Sequence, residues 1–438
     1  MDMSGRKETS SWTSAILSDF LRAIRGEEII RDCVNLSAGK LCCREGSFEL
    51  DTLSHLHILA IGKAAQSMAR GSLEILSEKF DGSISGLIVT KDGHGAPLPP
   101  FKVIESSHPL PSLRSVQAAR SVRENLEALP RMGCGVLVLL SGGGSALLCE
   151  PVEGMSFEDK QILHEQLLSC GASITEMNQV RIALSNIKGG GLLSSLQGRP
   201  AFALVLSDVV GNDLSLVSSG PFFPRSPSEP LGTLLQRYHL SLPHGLENGQ
   251  QSVNTKGGAE TEVPHLLLAD YQYALEILSK GFETQGVRVG RYKGALVDEL
   301  DKSVRLMLES FKSWKEDSTG QPLVFLAGGE STLRIHSSGK GGRNMHFACE
   351  LASSLLDSGF ERFEVFSLGT DGTDGPTDAA GGLLSSLKLK DSKTRSNLRK
   401  AIEKQDTYSF LDSIGALLKT GPTGTNLNDV HGIILNPR

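Results

Sequence analysis

Residues 363–382 read FEVFSLGTDGTDGPTDAAGG. The apolar run Val365 to Leu368 stops at a glycine-rich segment carrying Asp371, Asp374 and Asp378, the pattern of a buried strand that ends in a site-forming loop. Three carboxylates crowd one short turn. The intervening Gly369, Gly372 and Gly375 suit close approach to a cation or a polar ligand better than simple solvation does. Strand, then glycine, then acid is the order in which α/β proteins place ligand sites at the carboxyl ends of their strands.

The same grammar recurs on both sides of this stretch. Upstream, Pro322–Leu326 reads as a strand ending in Ala327, Gly328, Gly329 and Glu330, with Leu333–His336 as a neighbour for it. SSGKGGRN then brings Lys340 and Arg343 to the start of a helix running to Leu356. Two cations at a helix N-terminus oppose its dipole, and a bound phosphate or carboxylate would account for them. Downstream, Ser409–Leu418 reads as a helix, TGPTGTN as a turn and Val430–Leu435 as a last strand. Before them come the strand His265–Ala269 and the helices Tyr271–Gly281 and Val297–Trp314.

In the first half, Ser11–Arg25 places Ile16, Leu17, Phe20, Leu21 and Ile24 at helical spacing and is expected to pack against the first domain. Leu56–Ile61 is a strand that Gly62, Lys63, Ala64 and Ala65 turn directly into a helix, and Lys63 at that turn points to anion binding. Gly86–Thr90 and Lys102–Glu105 add strands, and Leu113–Leu129 a helix. In GVLVLLSGGGSALLCE, Val136–Leu140 is a buried strand and Ser141, Gly142, Gly143, Gly144 and Ser145 form a loop whose bare amides suit an anion at the start of the next helix. There is no GxxxxGK[ST], so this is no Walker A loop. Helical patterns at Ser156–Ser169 and Thr175–Ser195 follow, the second broken by Lys188, Gly189, Gly190 and Gly191. The strand Ala201–Leu206 runs into Ser207 and Asp208, and Leu240–Val263, poor in aliphatics, reads as a linker or surface excursion.

At 438 residues, with 39% hydrophobic and 21% charged side chains, the chain is long enough for two α/β domains. A net charge of -6 with scattered basic residues gives no footprint for nucleic acid. No apolar run approaches the ~18 residues of a membrane span, and MDMSGRKETSSW lacks the apolar core of a signal peptide, so the expected place is the cytoplasm, with a mitochondrial isoform as the alternative. The seven cysteines include no CxxC and read as free thiols, and the eleven histidines form no HExxH.

If the sheets are parallel, the loops holding Lys63, Ser145, Asp208, Glu330 and Asp371 gather along one edge of each domain, and two such edges facing one another make a cleft. Cations and glycine amides for anions, with carboxylates for a divalent ion or a proton, fit phosphoryl transfer. Hydride transfer would need a nucleotide site, and no GxGxxG opens a helix here. Spacing alone leaves the substrate open.

IGKA, LLSGGGSALL, NQVRIALSNIKGGGL, LSDVVGNDLSLVSSGP, LAGGEST, GKGGRN, GTDGTDGPTDAAG and TGPTGTN, in this order, closely resemble the class II glycerate kinases of the MOFRL type. The resemblance spans residue 12 to the end. It implies an N-terminal Rossmann-like three-layer α/β domain over 1–240, a linker over 241–263 and a C-terminal MOFRL α/β domain over 264–438. It also implies ATP-dependent phosphorylation of D-glycerate at the 2-hydroxyl in serine and fructose breakdown. Hydroxypyruvate reductase, a label given to similar proteins, and a non-catalytic metabolite-binding relative are the alternatives. By this resemblance Lys63 and Arg343 fall on the family's catalytic lysine and arginine, with Asp208 beside them as the third catalytic candidate. Ser141 to Ser145, Lys188, Glu330, Asn344 and Thr370 make the substrate- or nucleotide-binding set, and Asp371 with Asp374 the Mg²⁺ ligands. The chain departs from the family at Ser112, where HPxPD ends in Asp, at Met345 and His346 after GGRN, at Asp270 and Tyr271, and at Phe222. Position 346 lies one helical turn from Arg343 and is expected to face the cleft.

Overall fold

The computed structural model describes residues 12–44, 46–224, 229–242, 262–315 and 321–435. They form two compact units, Gly26–Leu268, and Ala269–Arg438 together with Met1–Arg25. The expected linker 241–263 lies for most of its length outside the described residues. Helix α1 (Trp12–Ala23) corrects one expectation, since it joins the second unit: Trp12 packs edge-on against Phe282 at 5.5 Å, and Thr13 donates to Glu364 at 2.5 Å. An amphipathic stripe states that a helix packs, but carries nothing about which surface receives it.

In the unit Gly26–Leu268, helix α2 (Gly26–Cys33) leads into an antiparallel meander of β1 (Val34–Ser37), β2 (Lys40–Cys43) and β3 (Gly46–Glu49). Its first turn has Ala38 and Gly39 at φ 48° and 70°, the conformation of a two-residue primed hairpin. The main sheet is built from β4 (His55–Ile61), β5 (Ser83–Lys91), β6 (Phe101–Ser106), β7 (Cys134–Leu140), β8 (Ala201–Leu206) and β9 (His265–Ala269), in the order β6-β5-β4-β7-β8-β9. The strands from β6 across to β8 are parallel. Every residue of β7 and β8 is buried, which is why both read as unbroken apolar runs: a parallel sheet is covered on both faces. The helices are α3 (Ala65–Lys79), α4 (Leu113–Glu127), a single turn α5 (Gly144–Leu147), α6 (Phe157–Ser169), α7 (Ile174–Ala183) and α8 (Leu231–Arg237). The last three share an apolar cluster of their own that includes Leu163, Leu167, Val180, Leu234 and Leu235. After β6 the chain returns to place β7 beside β4, so the strand order reverses between β4 and β7, the position where doubly wound sheets open a crevice at their carboxyl ends.

The second unit contains α9 (Tyr271–Glu283), β10 (Arg288–Arg291), α10 (Leu300–Lys315), β11 (Leu323–Gly329), α11 (Arg343–Asp357), β12 (Phe363–Gly369), β13 (Gly381–Ser385), α12 (Ser392–Glu403), α13 (Thr407–Ser413), β14 (Leu417–Leu418) and β15 (Asp429–Leu435). Its sheet runs β10-β11-β15-β12-β13-β14 and is mixed: β15 lies antiparallel between β11 and β12. Asp429 at the start of β15 is therefore in register with Gly329 and Gly369, the last residues of the two flanking strands. The apolar faces bury Phe311, Phe325, Phe347, Phe363 and Leu384 among others. Leu333–His336 is no strand; at this point Thr332 makes only an isolated bridge to Glu299. The helix expected over Ser409–Leu418 closes at Ser413, and its last two residues become β14.

Candidate active site

In the unit Gly26–Leu268 the ends of β4 and β7 are tied together at the strand-order reversal. The Ser141 amide donates to the Ile61 carbonyl at 3.0 Å, the Lys63 amide to the Gly142 carbonyl at 2.9 Å, and the Ala64 amide to the Ser141 hydroxyl at 3.0 Å. Gly62 has φ +123°, and a Cβ there would stand 2.2 Å from the Ser141 hydroxyl, so no side chain fits the turn that delivers Lys63. A Cβ on Gly143 would meet the Lys63 Cγ and the His108 ring, each at 3.2 Å, which sets both side chains against the glycine loop. Among the described residues, the amides of Gly142 and Gly143 donate to no carbonyl. The helix after this loop is the four-residue α5, so its amides, not a long helix dipole, are what the loop offers an anion.

The loop is braced from below. Ser218 donates to the Ser141 carbonyl at 2.7 Å, and a Cβ on Gly144 would lie 2.2 Å from the Ser218 hydroxyl. Ser218 and Ser219 sit at φ +52° and +61°, a strained pair of the kind that collects at ligand sites. The Ser219 hydroxyl meets that of Ser145 at 2.6 Å and accepts from the Lys188 ammonium at 3.0 Å. Lys188 is 8% exposed, and burial lowers its pKa to about 7. Asp208 follows β8, the neighbour of β7, and is half-buried where Ser207 accepts the Val209 amide at 3.1 Å.

In the second unit the centre is Arg343, the first residue of α11. Its Nε donates to Asp429 Oδ2 at 2.6 Å and its Nη2 to Oδ1 at 3.1 Å, while Nη1 donates to Glu330 Oε1 at 2.6 Å. The other Glu330 oxygen accepts from the Asn428 amide group at 3.1 Å. Burial works against the charged guanidinium, but Asp429 and Glu330 outweigh it and hold the pKa of Arg343 above its ordinary value. Asp429 escaped the sequence reading, since an acid at the start of a strand carries no signal until the antiparallel direction of β15 is known.

The acid trio of the opening stretch is divided among three tasks. Asp374, 3% exposed, accepts the Asn344 amide at 3.0 Å and the Met345 amide at 2.8 Å, which caps α11. A Cβ on Gly342 would lie 2.3 Å from that carboxylate, so glycine is needed there. Burial raises the Asp374 pKa to about 7 against the pull of the two amides. Asp371 accepts from the Thr373 amide and hydroxyl at 3.0 and 2.9 Å, and Asp378 accepts from the Tyr408 hydroxyl at 2.7 Å and pairs with Lys419 at 3.0 Å. Among the described residues no group of three or more His, Cys, Asp or Glu side chains stands ready to hold a metal.

The remaining candidates support others. Thr370 donates to the Asn428 carbonyl at 2.7 Å and accepts the Leu427 amide at 2.8 Å, and Asn344 accepts from Ser367 at 2.7 Å, both as buried ties. Lys340 lies over the Tyr408 ring at 3.7 Å. His346 is 4% exposed with Nε2 4.0 Å from Glu350, and burial lowers its pKa to about 4. It is a buried neutral imidazole, which corrects the expectation that it presents a group to ligand. Two departures keep the local geometry. Ser112 caps α4 by accepting the Arg114 amide at 3.1 Å, and Asp270 caps α9 by accepting the amides of Gln272 and Tyr273 at 3.0 and 3.1 Å. Phe222 is wholly buried in the core.

Residues 12–248 match a family model described as a domain of unknown function, DUF4147, and residues 323–429 match the MOFRL family. The D-glycerate 2-kinase of Thermotoga maritima is 34% identical over 400 residues, which cover 87% of this chain and 91% of that one. A crystal structure of glycerate kinase from Thermotoga maritima superposes with a TM-score of 0.80 at 32% identity, over 96% of this chain and 98% of that one. An Agrobacterium vitis protein named putative hydroxypyruvate reductase is 34% identical over 86% of this chain and 98% of its own length. With matches of this length and identity, the chain belongs to the DUF4147 and MOFRL family of glycerate 2-kinases.

Proposed function

We propose that this protein transfers the terminal phosphoryl group of ATP to the 2-hydroxyl of D-glycerate, giving 2-phosphoglycerate in the cytosolic breakdown of serine and fructose. One observation carries the proposal: a chain alike to a D-glycerate 2-kinase over 87% of its length has Lys63 and Arg343 in loops built around them. Phosphoryl transfer asks little covalent chemistry of a protein; it needs held reactants and positive charge where phosphate oxygens gain negative charge. Lys63 supplies a cation beside the amides of Gly142 and Gly143. Arg343 has spent three of its five N–H groups on Asp429 and Glu330, which orient it and leave two for an anionic oxygen. Asp208 at the end of β8 is the acid assigned to accept the hydroxyl proton.

Asp371 and Asp374 are the acids assigned to Mg²⁺ in this reading, Asp374 with one backbone amide already on each oxygen. Mg²⁺ enters in this scheme as part of the Mg·ATP co-substrate, held chiefly by phosphate oxygens and water, with these the acids that would touch it. The test is ATP-dependent consumption of D-glycerate, with the product identified, run beside NADH oxidation with hydroxypyruvate. Phosphoglycerate without NADH oxidation supports the kinase. NADH oxidation alone would make the chain a hydroxypyruvate reductase, and neither activity a metabolite-binding relative.

A further inference from the structure

Among the described residues of the unit Gly26–Leu268, three cations stand without counter-charge. The Lys188 ammonium, three donors on a side chain 8% exposed, is paired with one neutral hydroxyl, that of Ser219. Lys160 of α6 has a buried Nζ with no hydrogen-bond partner, and Arg181 of α7 a buried Nε with none. What Arg181 does touch is uncharged or basic: its Nη2 lies 3.2 Å from His164 Nδ1 and its Nη1 3.4 Å from Asn178 Oδ1. Among the described residues no carboxylate pairs with any of the three. Folding therefore buries Lys188 near the half-buried like charges of Lys160 and Arg181, a cost that proteins accept where an anion is to be received. The repulsion is evident at Lys188, whose pKa is lowered to about 7, chiefly by burial and next by Lys160, with Cys149 opposing and Arg181 adding a lesser push. His164 on α6 is in turn held down by burial, Arg181, Lys188 and Lys160.

The cluster adjoins the glycine loop through hydroxyls: Lys188 donates to Ser219, and Ser219 meets Ser145 at 2.6 Å, directly after Gly144. We propose that Lys160, Arg181 and Lys188, with the hydroxyls of Ser219 and Ser145, form a seat for the polyphosphate chain of the nucleotide. This rests on the phosphotransfer function proposed above and assigns its nucleotide side. A single carboxylate, as on glycerate, brings one negative charge, whereas a triphosphate brings enough charge and acceptors for three cations. The seat has a titration signature. Above pH 7 the empty seat holds Lys188 largely neutral, and an arriving polyanion favours its ammonium, so binding at pH 8 draws a proton from solution.

Isothermal titration of the full chain at pH 8 with sodium tripolyphosphate, ATP, inorganic phosphate and D-glycerate, in two buffers of different ionisation enthalpy, tests the seat. Tripolyphosphate and ATP should bind with net proton uptake, and inorganic phosphate much more weakly, which separates a polyphosphate seat from one for a free phosphate. Lys160→Met and Arg181→Met should each weaken tripolyphosphate and ATP binding by about tenfold or more, with D-glycerate affinity held within about twofold. Lys188→Met should abolish the proton uptake. Arg181→Lys, which keeps the charge, should retain most of the affinity and serves if Arg181→Met does not fold. Wild-type tripolyphosphate and ATP affinity in folded Lys160→Met and Arg181→Met, or in folded Lys160→Met alone where Arg181→Met does not fold, or loss of D-glycerate binding alone, would overturn the assignment. Failure of the wild type to phosphorylate D-glycerate would overturn the proposed function while leaving the tripolyphosphate titration intact, so the two failures are distinct.

Discussion

Asp429→Asn keeps the shape of the side chain and removes its charge. The native carboxylate is 1% exposed and accepts Arg343 Nε and Nη2 at 2.6 and 3.1 Å. Asn can accept one of these bonds; its NH₂ would face the second donor. Removing one partner of a fully desolvated ion pair costs about 3–5 kcal/mol. The Arg343 side chain is 36% exposed and keeps Glu330, so solvent and the second acid screen the loss. A discounted cost of about 2–3 kcal/mol follows, and a melting temperature lower by roughly 4–12 °C for a unit of this size. The guanidinium, then held by the partly exposed Glu330 alone, would lose its fixed aim, with kcat falling about ten- to a hundredfold. Thermal melts and steady-state kinetics with D-glycerate and ATP read both effects. Wild-type melting together with wild-type kcat would refute the claim that Asp429 orients Arg343.

Lys63→Ala should lower kcat by about two to three powers of ten with an unchanged melt, as loss of a transition-state charge does. Arg343→Ala should match it in turnover but also melt earlier, because Asp429 is left buried without its partner. Asp374→Ala removes the cap of α11 and should cost about 1–2 kcal/mol of stability in denaturant melts. Asp371→Asn should instead raise the Mg²⁺ concentration needed for half-maximal rate, and an unchanged requirement would leave Asp371 a turn residue. His346→Glu should destabilise by about 2–4 kcal/mol and bring no gain in activity, since it buries a carboxylate beside Glu350, whose own pKa burial already raises. His346 also shapes the pH dependence. Between its folded pKa of about 4 and its ordinary 6.5 the unfolded chain binds the proton and the folded one does not, so stability rises with pH across that window, and His346→Gln should flatten the rise.

How much of this was legible in the sequence depended on whether a signal was local. The strands β4, β7, β8 and β12 are apolar runs because they are buried on both faces, and their glycine ends mark Lys63, Ser141 and Asp371 without any knowledge of neighbours. The meander over Val34–Glu49 was missed because its strands are four residues long, too short for a period to register. Lys160 and Arg181 were missed for another reason: a lysine and an arginine in helices read as solvated charges, and only burial shows that their nitrogens have no partner. The acid trio is the opposite case. Asp371, Asp374 and Asp378 are close in sequence, yet Asp374 turns to the amides of α11 and Asp378 to Lys419, whereas the acid that holds Arg343 lies 86 residues further on. It arrives there because β15 enters between β11 and β12 against their direction, so that the start of one strand meets the ends of two others. Local composition announces that a strand end is a site; only the direction of the neighbouring strand decides which distant charge completes it.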